Sequence, residues 1–127
     1  MIFERVLVLG CGLIGSSLAA SVREYELAKE IVGVDEKYEL MRKKNRFFDK
    51  IAQSLQSFEE ADLCVIAIPI EGIPAVVKEL ADNHSLFNYD LITDVASNKR
   101  SLLEVIDKLE NDSKRAFLSK FISSHPL

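Results

Sequence analysis

The chain has 127 residues, 48% of them apolar and 28% charged, with a formal net charge of −4. That length supports one compact domain with a real core and excludes two. The acidic balance disfavours nonspecific nucleic-acid binding, which needs Lys and Arg to neutralise phosphates, and no apolar run approaches the roughly 20 residues that span a bilayer.

The first predicted element is the strand around Val6-Leu7-Val8-Leu9. The acid at Glu4, and the way this run enters a glycine turn, do not fit a signal peptide. The turn is Gly10-Cys11-Gly12-Leu13-Ile14-Gly15, and a helix predicted over Leu13 to Glu26 follows it. In a strand–turn–helix of this kind each glycine has a physical task. Gly10 makes the tight turn, Gly12 lets a pyrophosphate approach the backbone, and Gly15 lets the helix pack on the strand. The helix N-terminus then offers unpaired N–H groups and partial positive charge to an anion. Ile14, Leu18 and Val22, four residues apart, are expected to face the sheet. Cys11 reads as a small residue contributing its backbone; a reactive thiol at a helix N-terminus is the other reading. Neither Cys11 nor Cys64 sits in a pattern suggesting a disulfide or a metal site, and a reducing, cytoplasmic setting is expected.

A second strand, Ile31 to Val34, ends in Asp35, about twenty residues beyond the last glycine, where a dinucleotide fold places the carboxylate that accepts hydrogen bonds from the adenosine ribose. Asp35 argues for NAD over NADP, because a 2′-phosphate brings roughly two negative charges against it. Arg42 and Lys43 lie in the next predicted helix, Lys37 to Arg46, which reads mainly as a solvated face. A short strand is expected at Ile51-Ala52, and Ser57-Phe58-Glu59-Glu60 has the spacing of a capping box that would open a short helix.

Leu63 to Ile68 is apolar throughout, as expected of a strand covered on both faces, and Pro69 ends it. A helix from Ile73 to Ala81 buries Ile73, Val77 and Leu80; His84 beyond it reads as a surface residue. Leu91 to Asp94 is the next strand. Ser97 is the expected N-cap of a helix from Asn98 to Leu109, with Leu102, Leu103, Ile106 and Leu109 inward and Asn111-Asp112-Ser113 closing it. A last strand, Ala116 to Ile122, leads to Ser124-His125-Pro126. The alternation predicts an α/β fold of Rossmann type, a doubly wound, mostly parallel sheet of about six strands with helices on both faces. The glycine turn, Asp35, Pro69, Ser97 and His125 all fall just past strand ends, where such sheets bind ligands. His125 has the titration range of an acid–base group and reads equally as a strand-end histidine satisfying the backbone; Ser97 reads as a helix cap, as an orienting hydroxyl, or as both.

Four segments together resemble the prephenate dehydrogenases and the related arogenate dehydrogenases. They are Gly10-Cys11-Gly12-Leu13-Ile14-Gly15-Ser16-Ser17-Leu18-Ala19, Ala67-Ile68-Pro69, Asp94-Val95-Ala96-Ser97-Asn98-Lys99 and Ser124-His125-Pro126. The resemblance implies NAD-dependent oxidative decarboxylation of prephenate to 4-hydroxyphenylpyruvate, in tyrosine biosynthesis. It assigns cofactor contact to the glycine turn, Asp35, Ala67 and Pro69. It also has His125 polarise the ring hydroxyl and Ser97 assist. Members of that family continue past His-Pro with Ala-Gly and a helical domain that forms the dimer and completes the substrate pocket. Residues 1–127 are therefore expected to be the nucleotide-binding half, binding NAD but turning over little or no prephenate alone. A stand-alone NAD-binding module, or another dehydrogenase on this fold such as an arogenate dehydrogenase, is the competing reading.

Overall fold

A computed structural model describes residues 2–44, 46–95 and 99–123. Ser97 and His125 lie outside the described residues. The strands are β1 (Phe3–Leu9), β2 (Ala28–Val34), β3 (Lys50–Ala52), β4 (Glu60–Ile66), β5 (Asn88–Asp94) and β6 (Phe121–Ile122). The helices are α1 (Leu13–Glu24), α2 (Tyr38–Lys44), α3 (Ile73–Asp82), α4 (Lys99–Asp107) and α5 (Asn111–Lys120). All pairings are parallel, and the strand order is β3-β2-β1-β4-β5-β6. The order reverses between β1 and β4, which opens a crevice at the carboxyl ends of those two strands.

Both faces of β1 are buried, so its apolar run is continuous. Val6 and Val8 join Ala19 and Val22 of α1, together with Ile31, Phe48 and Val65. Leu7 and Leu9 point the other way, into a core with Val77 of α3, Leu102 and Ile106 of α4, and Phe117 of α5. Burying each of these large apolar side chains stabilises the fold by about 1.5–3 kcal/mol. The phenol of Tyr89 on β5, buried in the second core, donates to the Phe58 carbonyl at 2.6 Å. The N-terminal end of the sheet is tied by Arg5, whose Nε lies 2.5 Å from Glu30 and whose guanidinium lies 5.6 Å from the centre of the Phe58 ring.

Several expectations from sequence are corrected here. The residues Asn111-Asp112-Ser113 open α5, and Ala116 to Lys120 is helical, leaving only Phe121 and Ile122 as strand. Phe117 and Phe121 are stacked, with ring centres 5.1 Å apart, at the four-residue spacing that a helical turn brings together. Ser57 starts no helix: Ser54 caps a 3-10 turn over Leu55–Ser57, and Glu60 already belongs to β4. In α1 the buried residues are Gly15, Ala19 and Val22, while Ile14 is exposed. The helix lies too close to β1 for a large side chain at the contact, since a Cβ on Gly15 would fall 1.8 Å from the Gly10 carbonyl oxygen. Leu103 is likewise partly exposed, with Leu102 and Ile106 forming the buried stripe of α4. The stripe of α3 is Ile73, Val77 and Leu80, as expected, with Ala81 added.

Candidate functional site

Strand register builds the site. Ala52, Val34, Leu9, Ile66 and Asp94 stand side by side across five strands. The next residue of each chain segment continues the ladder: Gly10 N–H donates to Val34 O, Asp35 N–H to Ala52 O, Ala67 N–H to Leu9 O and Val95 N–H to Ile66 O. Gly10, Asp35 and Ala67 are therefore forced into one row at the carboxyl edge. They open on a cleft of about 1030 Å³ whose lining includes Gly12, Leu13, Ile14, Ile68 and Pro69. That is at the upper end of the roughly 300–1,000 Å³ usual for small-molecule sites.

The glycine turn is specific in its geometry. Gly10 has φ 98°, a left-handed conformation that favours glycine, and a Cβ there would also meet the Ala67 carbonyl oxygen at 2.6 Å. Gly12 is different: its φ is −74°, and a Cβ there would have nothing within 4 Å. Its open side is cleft space, so glycine at 12 leaves room for something outside the chain. Gly12 is also the N-cap of α1 and makes no side-chain capping bond. The first helical amides thus have no side-chain partner from the cap, and Gly12, Leu13 and Ile14 line the cleft; a helix start of this kind can bind phosphate.

Asp35 is oriented by the backbone around it. Its Oδ2 accepts from Cys11 N–H at 2.8 Å, and its Oδ1 accepts from Lys37 N–H at 2.8 Å. Each carboxylate oxygen has a second lone pair to offer a ligand hydroxyl. Cys11 and Gly15 stand behind the cleft. Gly15 is the packing contact already described, and the Cys11 side chain is fully buried in the core on the α1 side. Burial, and secondarily the charge of Asp35, pushes the Cys11 thiol up to about 12, so it carries no thiolate reactivity near neutral pH. Cys64 is buried in β4, and burial pushes its thiol up as well.

Gly10, Gly12, Leu13, Ile14, Asp35, Ala67 and Pro69 all line one cleft. Lining residues that sequence reasoning did not single out include Glu36, Gln53, Glu71 and Glu79. Gln53 was findable, since it directly follows β3. Glu79 sits in the second turn of α3 and accepts from Gln56 Nε2 at 3.2 Å; only the tertiary packing brings it there. Among the described residues no group of His, Cys, Asp and Glu forms a candidate metal site, and no helix is long and apolar enough to cross a membrane. His84 is exposed, as are Arg42 and Lys43.

Residues 18–127 match the family model described as prephenate dehydrogenase, nucleotide-binding domain. The glycine turn precedes that match, so its geometry is separate support. The chain is 32% identical over 125 residues to a prephenate dehydrogenase of Lactococcus lactis, covering 98% of this chain and 34% of that protein. It is 29% identical to a prephenate dehydrogenase of Bacillus subtilis, over 98% of this chain and 33% of that one. The chain thus spans about a third of the length of these curated relatives. Its fold is similar to a crystal structure of A. aeolicus prephenate dehydrogenase in complex with hydroxyphenyl propionate and NAD+, with TM-score 0.71, 22% identity, and coverage of 98% of this chain and 42% of that one. It is also similar to a Synechocystis arogenate dehydrogenase, with TM-score 0.68 and 25% identity over 97% of this chain and 41% of that one.

Proposed function

The chain belongs to the family of prephenate dehydrogenase nucleotide-binding domains, and from that premise we propose that its cleft binds NAD+ for the oxidation of prephenate. The observation that carries the reading is the open space above Gly12 at the uncapped start of α1, beside a carboxylate that the Cys11 and Lys37 amides hold in place. The amides at the start of α1 take the pyrophosphate. Asp35 accepts hydrogen bonds from the adenosine ribose, and Ala67 and Pro69 border the dinucleotide from just past the end of β4. The exposed side chains of Leu13 and Ile14 cover it from the turn.

NAD is favoured over NADP by the charge of the lining. Asp35, Glu36, Glu71 and Glu79 border the cleft with one cation, Lys37, so the lining is acidic on balance and a 2′-phosphate on the ribose would be set against it. NAD+, when bound, supplies the hydride acceptor. The protein's part is position and proton handling. His125 holds the ring hydroxyl of prephenate and takes its proton, and Ser97 orients that hydroxyl and the imidazole. Loss of carboxylate then yields 4-hydroxyphenylpyruvate, a step of tyrosine biosynthesis. These two roles rest on the resemblance of their flanking motifs. In the whole enzyme a further helical domain completes the substrate pocket and pairs two copies. The similarity to an arogenate dehydrogenase favours arogenate as the second candidate substrate on the same site. The two buried thiols suit a reducing, cytoplasmic setting.

Calorimetric titration with NAD+ and NADP+ tests the cofactor assignment. Saturable NAD+ binding, at least about tenfold tighter than NADP+, is expected; tenfold corresponds to ~1.4 kcal/mol. Equal affinity, or tighter NADP+, would contradict it.

A further inference from the structure

Gly33 lies inside β2, where a glycine weakens a strand. Its backbone does not demand it: among the described glycines only Gly10 has a positive φ. The demand is steric. A Cβ at residue 33 would fall 2.4 Å from the Cys11 Sγ and 2.9 and 3.0 Å from two atoms of the Phe48 ring. Cys11 is the residue between Gly10 and Gly12 in the turn. Its side chain drops into the space beside Gly33, while its N–H reaches the Asp35 carboxylate at 2.8 Å. One strand end thus holds the turn at two points, residue 33 from below and residue 35 from the side.

We infer that Gly33 and Cys11 are a size-matched positioning pair, in which the space left by the absent Cβ at 33 seats the Cys11 side chain and sets the height of the turn that presents Gly12 and the first amides of α1 to the cleft. The inference rests on the dinucleotide reading for its consequence and on packing alone for its geometry. Adding a Cβ at 33 pushes Sγ upward, lifts Cys11 off Asp35 and moves the anion-binding amides. Removing Sγ in the same molecule vacates the space that the new methyl occupies, so the two changes compensate.

The test is a double-mutant cycle of Gly33→Ala and Cys11→Ala with two readouts: NAD+ affinity by calorimetry, and amide hydrogen exchange of Cys11 and Gly12 without nucleotide. Gly33→Ala alone is expected to weaken NAD+ binding by about tenfold or more and to speed exchange at Cys11. In the Cys11→Ala background the same substitution changes affinity by less than about threefold and leaves exchange where Cys11→Ala alone puts it. A double variant as weak as Gly33→Ala overturns the pairing and assigns the clash to Phe48; an unaffected Gly33→Ala overturns it outright. If Gly33→Ala does not fold, a folded double variant is the compensation expected, and an unfolded one contradicts it. Wild-type protein that fails to bind NAD+ refutes the cofactor reading, while the exchange data still decide the pair.

Discussion

The carboxylate of Asp35 accepts a hydrogen bond from the amide of Cys11 at 2.8 Å, across 24 residues of sequence. This bond joins the end of β2 to the glycine turn after β1, so the carboxylate proposed to receive the ribose also helps to hold the turn proposed to seat the pyrophosphate. Asp35→Ala removes the acceptor from two backbone donors, Cys11 N–H and Lys37 N–H. Hydrogen bonds to a charged group contribute about 1.5–3 kcal/mol where they are shielded, and partial exposure of Asp35 puts the expected loss at the lower end of that range. Urea unfolding measures it. Calorimetry should show NAD+ affinity falling further than stability alone explains.

Gly12 and Gly15 separate binding from folding. At Gly12 a methyl meets nothing within 4 Å, so Gly12→Ala should cost less than about 1 kcal/mol of stability while lowering NAD+ affinity by about tenfold or more. At Gly15 a methyl would fall 1.8 Å from the Gly10 carbonyl oxygen. Gly15→Ala should therefore destabilise by about 3 kcal/mol or more. Thermal unfolding of the two variants side by side distinguishes them, and similar melting temperatures would contradict the assignment of roles.

Alkaline pH should weaken the fold in part through Cys11. Its thiol is pushed up from an ordinary 9.0 to about 12 by burial and by Asp35. The unfolded chain therefore releases that proton first. The stabilisation is fully present below pH 9 and is lost as pH rises toward 12. Cys64 and Tyr89 are raised too, both mainly by burial, and act in the same direction. Urea midpoints at pH 8 and pH 10.5 should fall less in Cys11→Ala than in the wild type. An identical fall would remove Cys11 from this account.

In a full-length enzyme carrying this domain, His125→Asn should lower the rate of prephenate oxidation by about 10²–10⁴-fold if the imidazole handles the hydroxyl proton. Ser97→Ala should cost less, because the hydroxyl orients rather than titrates. Steady-state kinetics with saturating NAD+ read both, and an unchanged rate in His125→Asn would eliminate its role.

Much of this was legible in the sequence because the signals were local. A glycine turn between an apolar strand and a helix, with an acid closing the next strand, marks the end of the cleft proposed to take the phosphates before any tertiary contact is known. The apolar runs of β1 and β4 announced strands buried on both faces. What was lost was set by packing. The Ala116 to Ile122 run has a strand-like composition, but Phe117 and Phe121 stack at a helical spacing and Phe117 plugs the core against α3. Ile14 has the spacing of a core residue, yet the close approach that Gly15 permits turns it toward the cleft. Glu71 lies in the 3-10 turn just past Pro69, whereas Glu79, seven residues into α3, reaches the cleft wall only through the packing of that helix, which a single sequence does not display.

An amide-resolved NMR titration with NAD+ tests most directly whether the anion seat lies at the start of α1. Saturable shifts are expected, concentrated at Gly10 to Ile14, Asp35, Ala67 and Ile68. Shifts confined to the far side of β3, around Arg42, Lys50 and Phe58, or no shifts at all, would contradict that placement.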